Sequence, residues 1–147
     1  MTIGNEFNTA GAAAAPGWVM PEHLQHLAMA DPAVVDDLIE TFVTDTAERL
    51  RWLRIAFQDG DLAGVSREAH SIIGSSSLMG ASNLPELCRK TELAASRKTF
   101  ENLEQCIEAV ESCFANAARG MQLYTELQRL CAPTEEARKF SIGMNLR

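Results

Sequence analysis

The chain has 147 residues, 46% of them apolar and 22% charged, which suits one globular domain with a real core. Its formal net charge of −7 would be repelled by a phosphate backbone, so nucleic-acid binding is not expected. No stretch reaches the run of about 18 apolar residues that a membrane-spanning helix needs, and the amino-terminal MTIGNEFNTAGAAAAPGWVMP lacks the basic start of a signal peptide. Cys88, Cys106, Cys113 and Cys131 form no CxxC pair and fall in helical patterns; they are expected to be small buried side chains in a reducing cytoplasm.

Residues 1–20 are rich in Gly, Ala and Asn without periodicity and read as a flexible arm, with Trp18 and Val19 docking on the first helix. Pro21 opens a short helix, PEHLQHLAMA, which ends near Ala30. Asp31 and Pro32 then supply an N-cap and a first-turn proline for a helix running to about Gln58. Its inward positions are Val35, Leu38, Phe42, Leu50, Leu53 and Phe57, with one weak turn at Thr46. Asp61 caps a third helix over about 62–79, with Leu62, Val65, Ala69, Ile72, Ser76 and Met79 facing inward. After a turn at Gly80, Asn83 and Glu86 resemble a capping box with Pro85 in the first turn. The helix that follows carries Leu84, Leu87, Cys88, Thr91, Leu93 and Ala94, and ends near Lys98. The last helix runs from about Phe100 to Cys131 on Leu103, Ile107, Val110, Phe114, Ala117, Met121, Tyr124 and Leu127. Residues 132–147 are a polar tail. With no strand-like alternation and only short turns, the pattern predicts an all-α chain. Residues 21–131 should form an antiparallel four-helix bundle preceded by a short N-terminal helix.

No P-loop, GxGxxG, HExxH or GxSxG pattern occurs, so no nucleotide site and no autonomous catalysis are expected. His23 and His26, spaced i, i+3, share one face of the short first helix. A plain interaction module with a metal-binding face there is an outside alternative; two ligands are few for a metal, and two surface histidines are the simpler reading. No metal is expected on this chain.

His70 lies in SREAHSIIGSSSLMGA, a run of small residues that weakens a helix by up to about 1 kcal/mol per Gly or Ser relative to Ala. The inward stripe leaves His70 on the other side, with Ala63, Arg67, Ile73, Gly74 and Ser77. Gly74 removes the side chain one turn on that would shield the imidazole. Neutral imidazole is a nucleophile that can take an acyl or phosphoryl group. On these local features alone, a surface histidine among small residues explains the run as well as a docking site does.

The longer run AHSIIGSSSLMGASNLPELCRKTE resembles the signature of histidine-containing phosphotransfer (HPt) domains, A-H-x-L-K-G-[SA]-[SA]-x-x-x-G-A-x-x-L-x-x-x-C-x-x-L-E. The matching residues are Ala69, His70, Gly74, Ser75, Ser76, Gly80, Ala81, Leu84, Cys88 and Glu92, with Ile72 in place of leucine. The resemblance implies that His70 is phosphorylated by the aspartate of one receiver domain and passes the group to another. The partners would be receiver domains of a hybrid histidine kinase, a response regulator, or both. Mg2+ would sit on the receiver and no cofactor on this chain, which would act as a cytoplasmic, monomeric phosphocarrier and not an enzyme. Receivers would dock over Arg67, Ile73, Gly74 and Ser77, with Ile73 at the centre, and over parts of the second and first helices.

One departure bears on that reading. The family usually has lysine three residues after the histidine, and this chain has Ile73. Losing such a charge-assisted contact is worth roughly 1.5–3 kcal/mol if well formed and less if exposed. Arg67, Arg89 and Lys90 are the candidates to steady a phosphoryl group instead, with Arg97 further off. Without a replacement the protein would be a receiver-binding adaptor or decoy with impaired transfer.

Overall fold

The computed structural model describes residues 17–131; the expected arm over residues 1–16 and the tail over 132–147 lie outside the described residues. Local chemistry sets the helix ends. Asp31 accepts a hydrogen bond from Ala33 N at 3.2 Å and Asp61 from Gly64 N at 3.0 Å, each satisfying an orphan amide of a first turn. The helices are α1 (Glu22–Ala30), α2 (Pro32–Gln58), α3 (Leu62–Met79), α4 (Leu84–Arg97) and α5 (Phe100–Cys131). α3 ends at Gly80, whose φ of +68° and closeness to the Pro21 ring leave no room for a Cβ.

Only residues 59–61, 80–83 and 98–99 separate successive long helices, so each must fold back on its predecessor. α3 packs between α2 and α4, α5 closes on α4 and α2, and α1 lies along α2. Leu53, Val65, Ile72, Leu84, Leu103, Ile107 and Val110 are fully buried between them. Phe42 and Phe114 meet edge-on across α2 and α5, with ring centroids 6.1 Å apart. Arg49 bridges Asp45 and Glu68 of α3, and Arg54 ties α2 to Glu111 of α5.

The all-α bundle is as the sequence predicts, and several details differ. Trp18 reaches further than α1. It is buried, donates its Nε1–H to Met79 O at 2.7 Å and stands edge-on to Tyr124. A buried indole needs an acceptor, and the last carbonyls of α3 have no partner within their own helix. Val19 is exposed. The capping box at Asn83 does not form. Asn83 takes a left-handed φ of 66° with no side-chain cap, and Glu86 instead meets Arg89 at 3.5 Å. In α2, Ile39 takes the buried place four residues after Val35, and Leu38 and Phe57 stay half-buried. Thr46 is fully buried, with no hydrogen-bond partner for Oγ1. Leu93 is exposed while Ala95 is buried, and in α5 burial stops at Met121, so Leu127 faces solvent.

Candidate functional site

α3 carries His70 at mid-helix with 73% of its side chain exposed. The ring has one polar partner. Its Nδ1 lies 3.0 Å from Oε1 of Glu92, a half-buried carboxylate on α4. An ionised carboxylate only accepts, so this bond needs the proton on Nδ1. In the neutral ring that leaves the lone pair on Nε2, the nitrogen not engaged by Glu92.

The next turn is cleared. Gly74 is exposed, and a Cβ there would meet no atom within 4 Å. Ser71, Ser75 and Ser76 each donate to a carbonyl of their own helix, those of Arg67, Ile72 and Ile73. Their hydroxyls are therefore satisfied within α3. Ser76 is fully buried, where a larger side chain would push neighbouring helices apart. Ser77 is exposed.

The two flanks of α3 are fixed by its polar contacts: Glu68 meets Arg49 of α2, and His70 meets Glu92 of α4. Ile73 lies on the α4 flank, half-buried and packed against the core. Arg67 is exposed one turn before His70 and makes no ion pair among the described residues. Arg89 is paired with Glu86. Lys90 and Arg97 line a cleft of about 410 Å³ between α4 and α5, with Leu87, Asn102 and Cys106. Positions two apart on a helix differ by about 200°. Lys90 thus stands across α4 from Glu92. The four cations that the sequence offers do not converge on one point.

His23 and His26 are both exposed, and His23 Nε2 lies 2.8 Å from Leu78 O. Among the described residues no group of three or more His, Cys, Asp or Glu side chains could hold a metal ion. All four cysteines are free. Burial pushes the Cys88 thiol up to about 12, and Cys113 is also raised by burial, so neither has the thiolate character of a reactive cysteine. No described helix is long and apolar enough to cross a membrane.

Glu92 is the partner of His70 that spacing alone does not reveal. It stands 22 residues from His70 and is legible in the sequence only as the last letter of the family signature.

Comparison with known proteins follows the same line. No curated protein matches the chain. The crystal structure of histidine-containing phosphotransfer protein B from Pseudomonas aeruginosa PAO1 superposes with a TM-score of 0.64 at 34% identity, covering 78% of this chain and 97% of that one. The Hpt domain model matches residues 37–132, which takes in most of α2, all of α3 to α5 and the whole run around His70. With that match over most of its length, an all-helical bundle and an exposed histidine at mid-helix, the chain belongs to the histidine-containing phosphotransfer family.

Proposed function

We propose that the protein is a phosphorelay intermediate, taking a phosphoryl group from a receiver aspartate onto His70 Nε2 and passing it to a second receiver aspartate. The observation that carries this reading is the His70–Glu92 bond, which holds the proton on Nδ1 and leaves Nε2 as the nucleophile. In the forward step the Nε2 lone pair forms the N–P bond. The P–O bond to the receiver aspartate breaks, and that aspartate leaves as a carboxylate with the bonding pair. The ring gains positive charge, which the Glu92 carboxylate offsets through Nδ1–H. Reversal on a second receiver regenerates the neutral imidazole.

Phosphoryl transfer depends mainly on positioning and charge stabilisation, and the open turn at Gly74 lets a receiver approach. The receiver's own divalent metal would neutralise charge on the transferred group. The chain supplies a positioned nucleophile and no autonomous catalysis. Of the candidate cations, Arg67 is the one we assign to the phosphoryl group, because it is exposed one turn from His70 and unpaired among the described residues. The free thiols suit the reducing cytoplasm, where we place the protein, acting as a monomer.

The test is incubation with a receiver domain carrying labelled aspartyl phosphate. Label should move to the protein, be acid-labile and alkali-stable, and be absent from His70→Gln. Label persisting on His70→Gln would overturn the assignment. A second reading, an adaptor or decoy with impaired transfer, draws on Ile73 being packed against the core at the position where the family signature has lysine. It predicts, in the same assay, stable receiver binding with little label on His70 and no further loss in Arg67→Ala.

A further inference from the structure

Around His70 the outward face of α3 is polar or bare, and the apolar surface that an interface centre needs lies to one side of it. Trp52 of α2 is 55% exposed and Ile55 is also exposed, although both sit on a helix whose other apolar side chains are largely covered. With Asp59, Gly64, Arg67 and Glu68 they line a recess of about 190 Å³ between the end of α2 and the start of α3, room for one large side chain. We infer that Trp52 is the anchor of the receiver-docking surface and that the recess beside it takes an apolar side chain of the receiver.

The inference rests on the reading of His70 as the transfer site, and its first support is distance. A standard interface covers roughly 800 Å² on each partner, a disc of about 16 Å radius. At about 1.5 Å of rise per residue, Arg67 is some 4.5 Å and Gly64 some 9 Å along α3 from His70. The recess therefore lies within reach of a receiver that brings its aspartate to Nε2. The second support is residue type: tryptophan is enriched among residues that dominate binding energy, and an exposed one beside a fitted recess has no role in this fold's core. The third is charge. Asp59 on the rim makes no ion pair among the described residues, so the receiver residue filling the recess should have a basic neighbour. Ile73, which the sequence places at the centre of the docking face, is half-buried and packed against the core instead. The exposed Leu78, about 12 Å along α3 on the other side of His70, lies within the same footprint.

The experiment uses a phosphorylated receiver domain with its own tryptophans changed to phenylalanine. The full-length wild type, Trp52→Ala, Trp52→Phe and His70→Gln are compared by initial transfer rate and by intrinsic fluorescence on titration. Trp18 is buried and hydrogen-bonded, so it gives a steady background. Trp52→Ala should raise the KM for the receiver about tenfold or more with kcat within about twofold, and Trp52→Phe should recover part of the loss. Leu127→Ala, exposed near the far end of α5, should leave KM unchanged. The fluorescence change should be present in wild type and His70→Gln and absent from Trp52→Phe. An unchanged KM in Trp52→Ala, or label transfer with no fluorescence change in wild type, overturns the anchor and leaves the relay standing. A receiver-dependent fluorescence change without label on His70 overturns the relay and leaves the anchor standing.

Discussion

At the scale of single residues, His70 has one side-chain partner, the carboxylate of Glu92. An exposed imidazole would otherwise exchange its proton between two nitrogens, and only one of them can meet a receiver with the other held. Glu92→Gln keeps an oxygen that can accept from Nδ1–H but removes the charge; Glu92→Ala removes both. Because His70 is largely exposed, the effect is expected to be moderate: transfer slowed a few-fold in Glu92→Gln and up to about tenfold in Glu92→Ala. Nitrogen-15 chemical shifts of the ring should show the proton on Nδ1 in wild type and a mixture of tautomers in Glu92→Ala. Equal rates in all three proteins would remove Glu92 from the mechanism. Arg67 and Ile73 belong to this scale as well: a cation stands one turn before the histidine, and an alkyl group one turn after it where the signature has lysine.

At the scale of the element, α3 carries small residues beside His70 that lower its helix stability. Gly74 has ordinary helical backbone and open space where a Cβ would go, so its small size is not required by the fold. Gly74→Ala should therefore stabilise the protein by about 0.5–1 kcal/mol, seen as a higher thermal midpoint. Gly74→Gln should fold as well as Gly74→Ala yet transfer phosphate poorly, because its longer side chain stands one turn from the ring on the same face. Unimpaired transfer by Gly74→Gln would mean that the bare turn does not serve access. Gly80 provides the contrast. There the left-handed φ and the Pro21 ring both demand glycine, and the reason lies in how α3 stops.

At the scale of the whole molecule, the bundle holds a polar flaw in its core. Thr46 interrupts the apolar rhythm of α2, and its Oγ1 is buried with no partner. A buried hydroxyl left unsatisfied costs about 1–3 kcal/mol, so Thr46→Val, which keeps the shape, should raise stability by about 1 kcal/mol in urea unfolding with an unchanged slope. A fall in stability would show that the hydroxyl is satisfied in solution. The same assembly sorts the charges. Turning α4 to bury Cys88 and Thr91 sends Glu92 towards α3 and Lys90 with Arg97 towards α5.

Much of the fold was legible in the sequence because it depends on short-range rules. Asp31–Pro32, Asp61 and Gly80 mark helix ends through atoms within a few residues of each other, and the inward stripe of α3 follows from the helix period alone. That stripe also placed His70 outside, and the signature around it named the family. The failures share one cause. Asn83 looked like a cap, but the tight turn it completes needed a left-handed residue. Leu93 and Leu127 fit the period but stay half exposed. Trp18 found its acceptor on α3, 61 residues away, and Glu92 reached His70 across 22. The sequence by itself determined the helices, their ends and the exposed histidine, since these follow from neighbours along the chain. Only the tertiary structure decided which nitrogen of His70 is held, where Ile73 and the lysine and arginines lie, and that Trp52 stands beside Arg67. Those facts depend on how one helix is rotated against the next, and no spacing within a single helix records that angle.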